Sequence, residues 1–333
     1  MGAGTAQRGA CLLISGKVRK NMEFVVFAGV LLLLFIFMIV QELIQTKNQE
    51  KLFKKYLREN YGKEPPKEYS LERFARLGSY LERHKEEKQL DDITWNDLGM
   101  DEVFRRIDRT YSAAGEEYLY YTLRNISCGR EALEHLEEVV NWLQEQENIK
   151  VRIQLLMKRL GHLGKYSLYD YLDNLDYLGE RSNRKIVLGN LLYLPFLLLL
   201  FVQPAMGTIG IVLCMLWHIM TYFREKKVIE PYIISFAYVL RLIDVCEELE
   251  KQKIPVYRRE LDELREALKS LRELRRGAYW VMAGNQGKIG GNPLDILADY
   301  LRMILHLDIF QFNRMLEKLR KKTGQVETML AIT

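Results

Sequence analysis

Residues 91–125 read DDITWNDLGMDEVFRRIDRTYSAAGEEYLYYTLRN, a stretch in which two helical patterns flank a run of small residues. Apolar side chains recur at helical spacing in its first half, at Val103, Phe104 and Ile107. The polar run before them is typical of a turn, and Asp101 is placed to cap the helix that follows. The stretch therefore predicts a helix that begins just after a turn.

Four small residues in a row, residues 112–115 (SAAG), interrupt this helical pattern. Such a cluster is typical of a close approach of two backbones or of a tight joint between helices. A second helical pattern follows over residues 116–124, with acidic residues first and Arg124 last, which suits the helix dipole. We interpret Glu116 and Glu117 as N-terminal helix charges, because adjacent helix residues point in different directions and do not form a carboxylate pair.

The stretch resembles the start of the core (lever) domain of the MutS family of DNA mismatch-repair proteins. The shared pattern is Asp-x-x-Thr-x-x-(Asn/Asp)-Leu, a helix, and then Thr-x-Ser-x-x-Gly-x-x-x-Leu. In this chain the matching residues are Asp91, Thr94, Asp97, Leu98, Ile107, Asp108, Thr110, Ser112, Gly115 and Leu119. This variant of the pattern, with Trp95 and the run Glu-Tyr-Leu-Tyr-Tyr, most resembles the membrane-anchored MutS-related proteins of bacteria.

The resemblance is specific over residues 91–125 and continues more loosely over residues 131–161 and 229–333. It implies a helical lever fold, a family role in binding mismatched duplex DNA, and ATP-dependent repair-type activity. In the family, the ATPase domain with its ATP and Mg²⁺ follows the core domain. Residues 1–60 and 182–228 have no counterpart in the soluble repair proteins.

The phosphate-binding loop of that ATPase domain is absent from this sequence. The pattern Gly-x-x-x-x-Gly-Lys-(Ser/Thr) cradles phosphates with backbone N–H groups. The nearest approach, GNQGK at residues 284–288, is too short and precedes Ile289 rather than a hydroxyl residue, so we interpret it as a surface loop. We therefore expect no enzyme activity, no cofactor and no metal in this chain, with any ATPase module acting in trans.

Composition favours an all-helical protein. Of 333 residues, 48% are hydrophobic and 28% charged, with only 7 prolines and 22 glycines. A net charge of +5 permits an anionic partner, either DNA or lipid headgroups, without requiring one. We interpret the cysteines as reduced, unpaired thiols on an intracellular face of the protein; they are Cys11, Cys128, Cys214 and Cys246.

Three long apolar runs predict membrane-spanning helices. Residues 24–40 are uncharged and at the lower limit for a bilayer span, and because no cleavage site follows them we expect an anchor rather than a signal peptide. Residues 186–202 and 209–223 are two further uncharged runs joined by a turn at residues 203–207. Basic residues on both flanks indicate a hairpin that enters from the cytoplasm; they are Arg181, Arg184, Lys185, Arg224, Lys226 and Lys227. The alternative is a buried hairpin in a soluble core.

These runs imply a multi-pass protein of the cell membrane whose helical domain is cytoplasmic. The N-terminus would then lie outside with four basic residues on the unfavoured side, and translation from Met22 would remove them. The predicted divisions are a tail and transmembrane anchor (1–45), a charged linker (46–90), the first part of the MutS core-like region (91–182), the transmembrane hairpin (183–227) and the second part of that region (228–333), ending before an expected ATPase domain.

Further helices are predicted at residues 70–87, 131–147, 150–161, 257–276 and 295–319. Residues 257–276 carry leucines in a coiled-coil-like seam, which we interpret as packing within the chain because so short a repeat rarely dimerises alone; they are Leu261, Leu264, Leu268 and Leu271. The five histidines are scattered, and we interpret His306 and Asp308 as a helix-surface pair, since two groups make no metal site.

Two basic clusters lie away from the apolar runs and are candidate phosphate contacts. Their residues are Arg272, Arg275, Arg276, Lys318, Arg320 and Lys321. The alternative is a solvated helix face of interspersed charges.

The sequence thus leaves three functions open: a MutS-like lever protein that binds duplex DNA, a membrane-anchored helical scaffold without a DNA role, or the truncated product of a split gene. Expected partners are membrane lipid, duplex DNA, and an ATPase module in trans or a second copy of the chain.

Overall fold

A computed structural model describes residues 36–41, 43–63, 71–86, 88–125, 129–163, 166–275 and 293–333. Within these ranges the chain forms helices and no strand, with one isolated bridge between Gln89 and Asn125. The all-α fold class is therefore confirmed for the described residues. The predicted anchor at residues 24–40 lies largely outside them, as does the loop at residues 284–288.

We number the α-helices in chain order. They are α1 (43–59), α2 (Leu71–Arg83), α3 (Asp92–Asp97), α4 (Met100–Ile107), α5 (Ala113–Arg124), α6 (Arg130–Glu145), α7 (Glu147–Leu160), α8 (Leu168–Asp173), α9 (Arg184–Leu191), α10 (Tyr193–Val202), α11 (Pro204–Glu250), α12 (Arg258–Leu271), α13 (Pro293–Leu305), α14 (Leu307–Arg320) and α15 (Thr323–Ile332). Short 3₁₀ turns lie at Asn174–Leu178, Pro255–Tyr257 and Arg272–Arg275.

The polar run at the start of the central stretch forms the short helix α3, where a turn was predicted. Asp91 caps it by accepting a hydrogen bond from the Thr94 amide at 2.7 Å. The predicted cap of α4 was also wrong, because Gly99 occupies that position with φ of 61°. Asp101 instead accepts a hydrogen bond from the indole of Trp95 at 2.8 Å, which satisfies the polar edge of a buried ring.

The run of small residues is a helix joint, as predicted. Ser112 caps α5 by accepting a hydrogen bond from the Gly115 amide at 3.1 Å. The Ala113 amide donates to the carbonyl of Gly161 at 3.0 Å, which brings the start of α5 against the end of α7. A side chain at Gly115 would lie 3.1 Å from the Ser112 hydroxyl, so the joint is close-packed here.

The segment predicted as a charged linker contains two helices that pack onto the helical body. Leu57 of α1 and Leu77 of α2 are both buried. The ring of Phe53 meets that of Tyr111 edge-on at 5.4 Å, and α2 packs along α5. Apolar side chains between the charges therefore make this segment part of the body rather than a spacer.

The long helix α11 is the spine of the molecule. Its 47 residues give a length of about 70 Å, and it contains both the third apolar run and the segment after it. Its second half is buried by α7, α12, α14 and α15. Fully buried side chains of that half include Ile229, Phe236, Tyr238, Ile243 and Cys246. One core thus unites the two parts of the predicted MutS core-like region.

The leucine seam of α12 packs within the chain. All four leucines are buried where α12 meets α11 and α15. The interpretation of this seam as intrachain packing is therefore confirmed. The single long helix predicted at residues 295–319 is instead two helices, because His306 takes a left-handed conformation with φ of 54° between α13 and α14.

Two helical segments of the described chain are long and apolar enough to cross a membrane, at Arg184–Val202 and Pro204–Glu250. They form a hairpin whose tip is the bend at Gln203. Its apolar side chains face outward, with Phe201 being 89% exposed. The two arms approach closely at Gly207, where a Cβ would lie 2.6 Å from the backbone nitrogen of Leu200.

Candidate functional site

A cleft of about 700 Å³ opens at the base of the hairpin, where α9, α11 and the first turns of α14 meet. Its apolar part is formed by Leu188, Leu192 and Trp217. Its polar part carries the cations Lys185 and Arg224, both of which are exposed. The lining of the cleft is therefore apolar at the end nearer the hairpin tip and charged at the end nearer the helical body.

A partly buried polar network fixes the geometry at the charged end. The guanidinium of Arg181 forms an ion pair with Glu225 of α11 and donates to the amide oxygen of Asn313 at 3.0 Å. Asn313 in turn donates to Asn183 at 2.9 Å, and Asn183 donates to the carbonyl of Phe310 at 3.0 Å. These bonds tie the segment before α9 to both α11 and α14.

Two histidines that are 88 residues apart in sequence meet at the inner wall of the cleft. Nδ1 of His218 lies 3.3 Å from Nδ1 of His306, and Nε2 of His306 lies 3.3 Å from the hydroxyl of Thr221. Thr221 already donates its proton to a backbone carbonyl of its own helix, so it accepts from Nε2–H of His306. His306 then accepts through Nδ1 from His218, which leaves Nε2 of His218 as a bare acceptor.

Burial favours the neutral form of His306. It lowers the pKa of His306 to about 4, with His218 adding to the effect. Nε2 of His218 has no hydrogen-bond partner among the described residues. The His218 ring packs against Gly189, where a Cβ would lie 3.1 Å from the ring, a tight contact.

The interpretation of His306 and Asp308 as a surface pair was wrong, since both side chains are buried. Asp308 accepts a hydrogen bond from the Tyr222 hydroxyl at 2.8 Å, and burial raises the pKa of the Asp308 carboxyl. Lys226 donates to the same tyrosine hydroxyl at 3.0 Å. The sequence could not reveal this cluster, because its members come from helices that are distant in the chain.

The first four residues of the family motif lie around α3. Asp91 caps the helix, and Thr94 supplies the amide that it binds. Asp97 and Leu98 are exposed, with Leu98 at the C-cap. Trp95, which the motif does not include, is the buried residue here: its ring contacts Tyr120 at 4.9 Å and lies under the guanidinium of Arg124 at 4.5 Å.

The other six motif residues run from Ile107, at the end of α4, into α5. Asp108 is buried and binds both the amide and the hydroxyl of Thr110, the amide at 2.8 Å. Ser112 and Gly115 form the cap of α5, and Leu119 packs against the cluster of Trp95, Phe104 and Tyr120. These residues form helix caps and a small core, and none of them lines the cleft.

Most of the candidate phosphate contacts are paired within the chain. Carboxylates lie within 4 Å of Arg272, Arg275, Lys318, Arg320 and Lys321. Arg320 also donates to the carbonyl of Leu175 at 2.6 Å, which fixes the 3₁₀ turn after α8. Arg276 lies outside the described residues.

The start of α5 carries two buried carboxylates, Glu116 and Glu117, which the sequence analysis interpreted as N-terminal helix charges. Glu116 forms an ion pair with Arg76 of α2 at 2.7 Å, and Arg76 also donates to the carbonyl of Leu163 at 3.1 Å. Glu117 accepts a hydrogen bond from Ser167 at 2.9 Å. Burial raises the pKa of Glu117 to about 8 against the smaller opposing effects of Ser167 and Arg76.

No group of three or more His, Cys, Asp or Glu side chains suited to a metal ion lies within the described ranges. Comparisons with known protein families, with curated proteins and with solved structures found no match to this chain.

Proposed function

We propose that this chain is a membrane-anchored helical scaffold in which α11 acts as a rigid lever between a bilayer-embedded hairpin and the helical body. The observation that supports this is the continuity of α11, which begins among outward-facing apolar side chains and ends in the core. Rigid secondary elements carry coupling between distant sites, and in α11 such coupling would have to pass Pro231, which removes one backbone hydrogen bond of the helix. The proposed role needs no chemistry of its own.

The outward-facing side chains of the hairpin support its insertion in a bilayer. None of the apolar window within Arg184–Val202 is buried, which is unlike the core helix of a soluble protein. The cations at both feet of the hairpin favour a cytoplasmic location for the helical body. An additional span at residues 24–40 would bring the number of bilayer crossings to three.

The resemblance to MutS lever domains extends this proposal to partners. A MutS-like lever would transmit motion between duplex DNA and an ATPase module supplied by another chain. Arg272, Arg275 and Lys318 are paired with carboxylates, so DNA would have to displace those contacts. The scaffold without a DNA role is therefore the function that the geometry supports better.

The test is the topology of the full chain in liposomes, read by an impermeant thiol reagent. We would introduce Ala205→Cys at the hairpin tip and Arg259→Cys at an exposed position of α12, each in a background with the native cysteines replaced. We expect the protein to resist alkaline extraction and the two positions to react from opposite sides. Extraction by alkali, or reaction of both positions from one side, would contradict the proposal.

The same liposomes would be titrated with duplex DNA at 50 and 200 mM salt, conditions between which phosphate-dependent binding weakens steeply. We expect no binding at either concentration. Binding that weakens with salt would assign the MutS-like role in place of the scaffold without DNA.

A further inference from the structure

We propose that the cleft between α9 and α11 binds one anionic phospholipid from the surrounding bilayer. Lys185 and Arg224 would hold its phosphate, and one acyl chain would lie along Leu188, Leu192 and Trp217. This inference rests on the proposed insertion of the hairpin, since only then does the apolar end of the cleft open to lipid.

The charge pattern of the cleft supports an anionic headgroup. The lining contains the cations Arg181, Lys185 and Arg224 and the carboxylates Glu180 and Glu225. Arg181 and Glu225 neutralise each other in an ion pair. Lys185 and Arg224 have no ion-pair partner among the described residues, although many other cations of the body have one. Two unpaired cations on facing helices are a suitable site for a phosphate.

The shape of the cleft supports a lipid rather than a soluble phosphate compound. Leu188, Leu192 and Trp217 line it and are also exposed on the outer face of the hairpin, so an acyl chain would reach it directly. Its volume of about 700 Å³ is suited to a headgroup with the start of a chain. Tryptophan at the junction of apolar and polar regions is typical of a membrane interface.

The polar inner wall gives a second, independent indication of a ligand. His218 is 1% exposed and lines the cleft, and its Nε2 is an acceptor without a donor. A buried acceptor without a partner is costly. A hydroxyl of the glycerol headgroup would satisfy this acceptor after a small displacement of Gly189, which favours phosphatidylglycerol as the probe.

Trp217 makes the proposal measurable by fluorescence. The full chain would be reconstituted in phosphatidylcholine nanodiscs with a small fraction of lipid carrying brominated acyl chains, which quench a nearby indole. The brominated lipid would be phosphatidylglycerol in one arm and phosphatidylcholine in the other. Trp217→Phe identifies the part of the signal that comes from the cleft.

The decisive pair of variants has equal charge. Lys185→Gln with Arg224→Gln removes the proposed phosphate contacts, whereas Arg184→Gln with Lys227→Gln removes two exposed neighbours that do not line the cleft. We expect phosphatidylglycerol to be enriched at Trp217 in the unmodified protein by roughly fivefold or more, the usual effect of a cation beside an anionic lipid. The enrichment should disappear in the first variant and remain in the second.

Equal quenching by the two lipids in the unmodified protein would overturn the proposal, as would an equal loss in both variants. Loss of the enrichment on addition of millimolar glycerol phosphate or inorganic phosphate would show that the site takes free phosphate rather than lipid. Quenching of Trp217 by neither lipid would mean that the hairpin is not in the bilayer, so failure of the proposed function is distinguished from failure of the lipid site.

Discussion

At the scale of single residues, the joint between α2, α5 and α8 holds three ionisable groups out of water, Arg76, Glu116 and Glu117. Arg76 and Glu116 neutralise each other, and Glu117 is left with a neutral partner, Ser167. A buried carboxylate without a cation of its own is stabilised by taking up a proton. We therefore expect the stability of the helical body to depend on pH through Glu117.

Substitution Glu117→Gln tests this pH dependence. The pKa of Glu117 is raised from 4.5 to about 8, so between these values the folded chain holds a proton that the unfolded chain has lost. The contribution of this protonated Glu117 to the free energy of unfolding is complete below pH 4.5. It decreases as the pH rises to 8, by at most about 1.4 kcal/mol per pH unit. Glutamine stays neutral and still accepts the hydrogen bond from Ser167. The free energy of unfolding of the variant at pH 8 should therefore exceed that of the unmodified protein by roughly 1–3 kcal/mol.

The measurement is denaturant unfolding in detergent micelles at several values between pH 5 and 9. The exposed Glu102 provides the control, because Glu102→Gln should change stability by less than about 0.5 kcal/mol at any pH. Parallel stability curves for Glu117→Gln and the unmodified protein would contradict the prediction.

Local sequence located the joint before α5 but did not identify the helix caps. The run of small residues at 112–115 predicted the joint, whereas the cap that Ser112 forms there was not predicted. The burial of Glu117 depends on Ser167 and on α2, neither of which its own neighbours in sequence indicate. Asp101 was assigned the wrong bond for the same reason, because its partner is the ring of Trp95 rather than a backbone amide.

At the scale of helices, the closure of the hairpin depends on the absence of a side chain at Gly207. Membrane helices pack closely where small residues let the backbones approach. A Cβ at Gly207 would lie 2.6 Å from the nitrogen and 2.9 Å from the Cα of Leu200. Because these are backbone atoms, no rotamer change can relieve the contact, so the arms would have to separate.

We therefore predict that Gly207→Val destabilises the hairpin by about 1–3 kcal/mol. Ala205→Val is the matched control, since Ala205 is exposed near the same bend and has room for the larger side chain. The measurement is thermal unfolding in nanodiscs together with cross-linking between cysteines on the two arms. The prediction fails if both variants keep the cross-link and lose equal stability.

Long apolar runs and leucine seams were predicted from sequence because each follows from the period of its own side chains. The break between α13 and α14 was not, because His306 has no helix-breaking chemistry. Its left-handed backbone is maintained by tertiary contacts with His218 and Thr221. Those contacts form only after the hairpin has folded against α14.

At the scale of the whole molecule, the two helical regions that the sequence predicts on either side of the hairpin share a single core. The second half of α11 packs against α7 from before the hairpin and against α12, α14 and α15 from after it. No local pattern indicates that the third apolar run continues without a break into this core. The charged residues 224–227 interrupt the apolar run but leave the helix intact.

Continuity of α11 predicts a fixed distance between the hairpin tip and the helical body. Spin labels at positions 205 and 259 should give one narrow distance distribution in nanodiscs. Lys227→Gly with Val228→Gly should broaden it, because each glycine weakens an exposed helix by about 1 kcal/mol and frees its backbone. Lys227→Ala with Val228→Ala keeps the helix and should leave the distance distribution narrow. A distribution already broad in the unmodified protein, or broadened equally by alanine, would mean that α11 bends freely and transmits no motion.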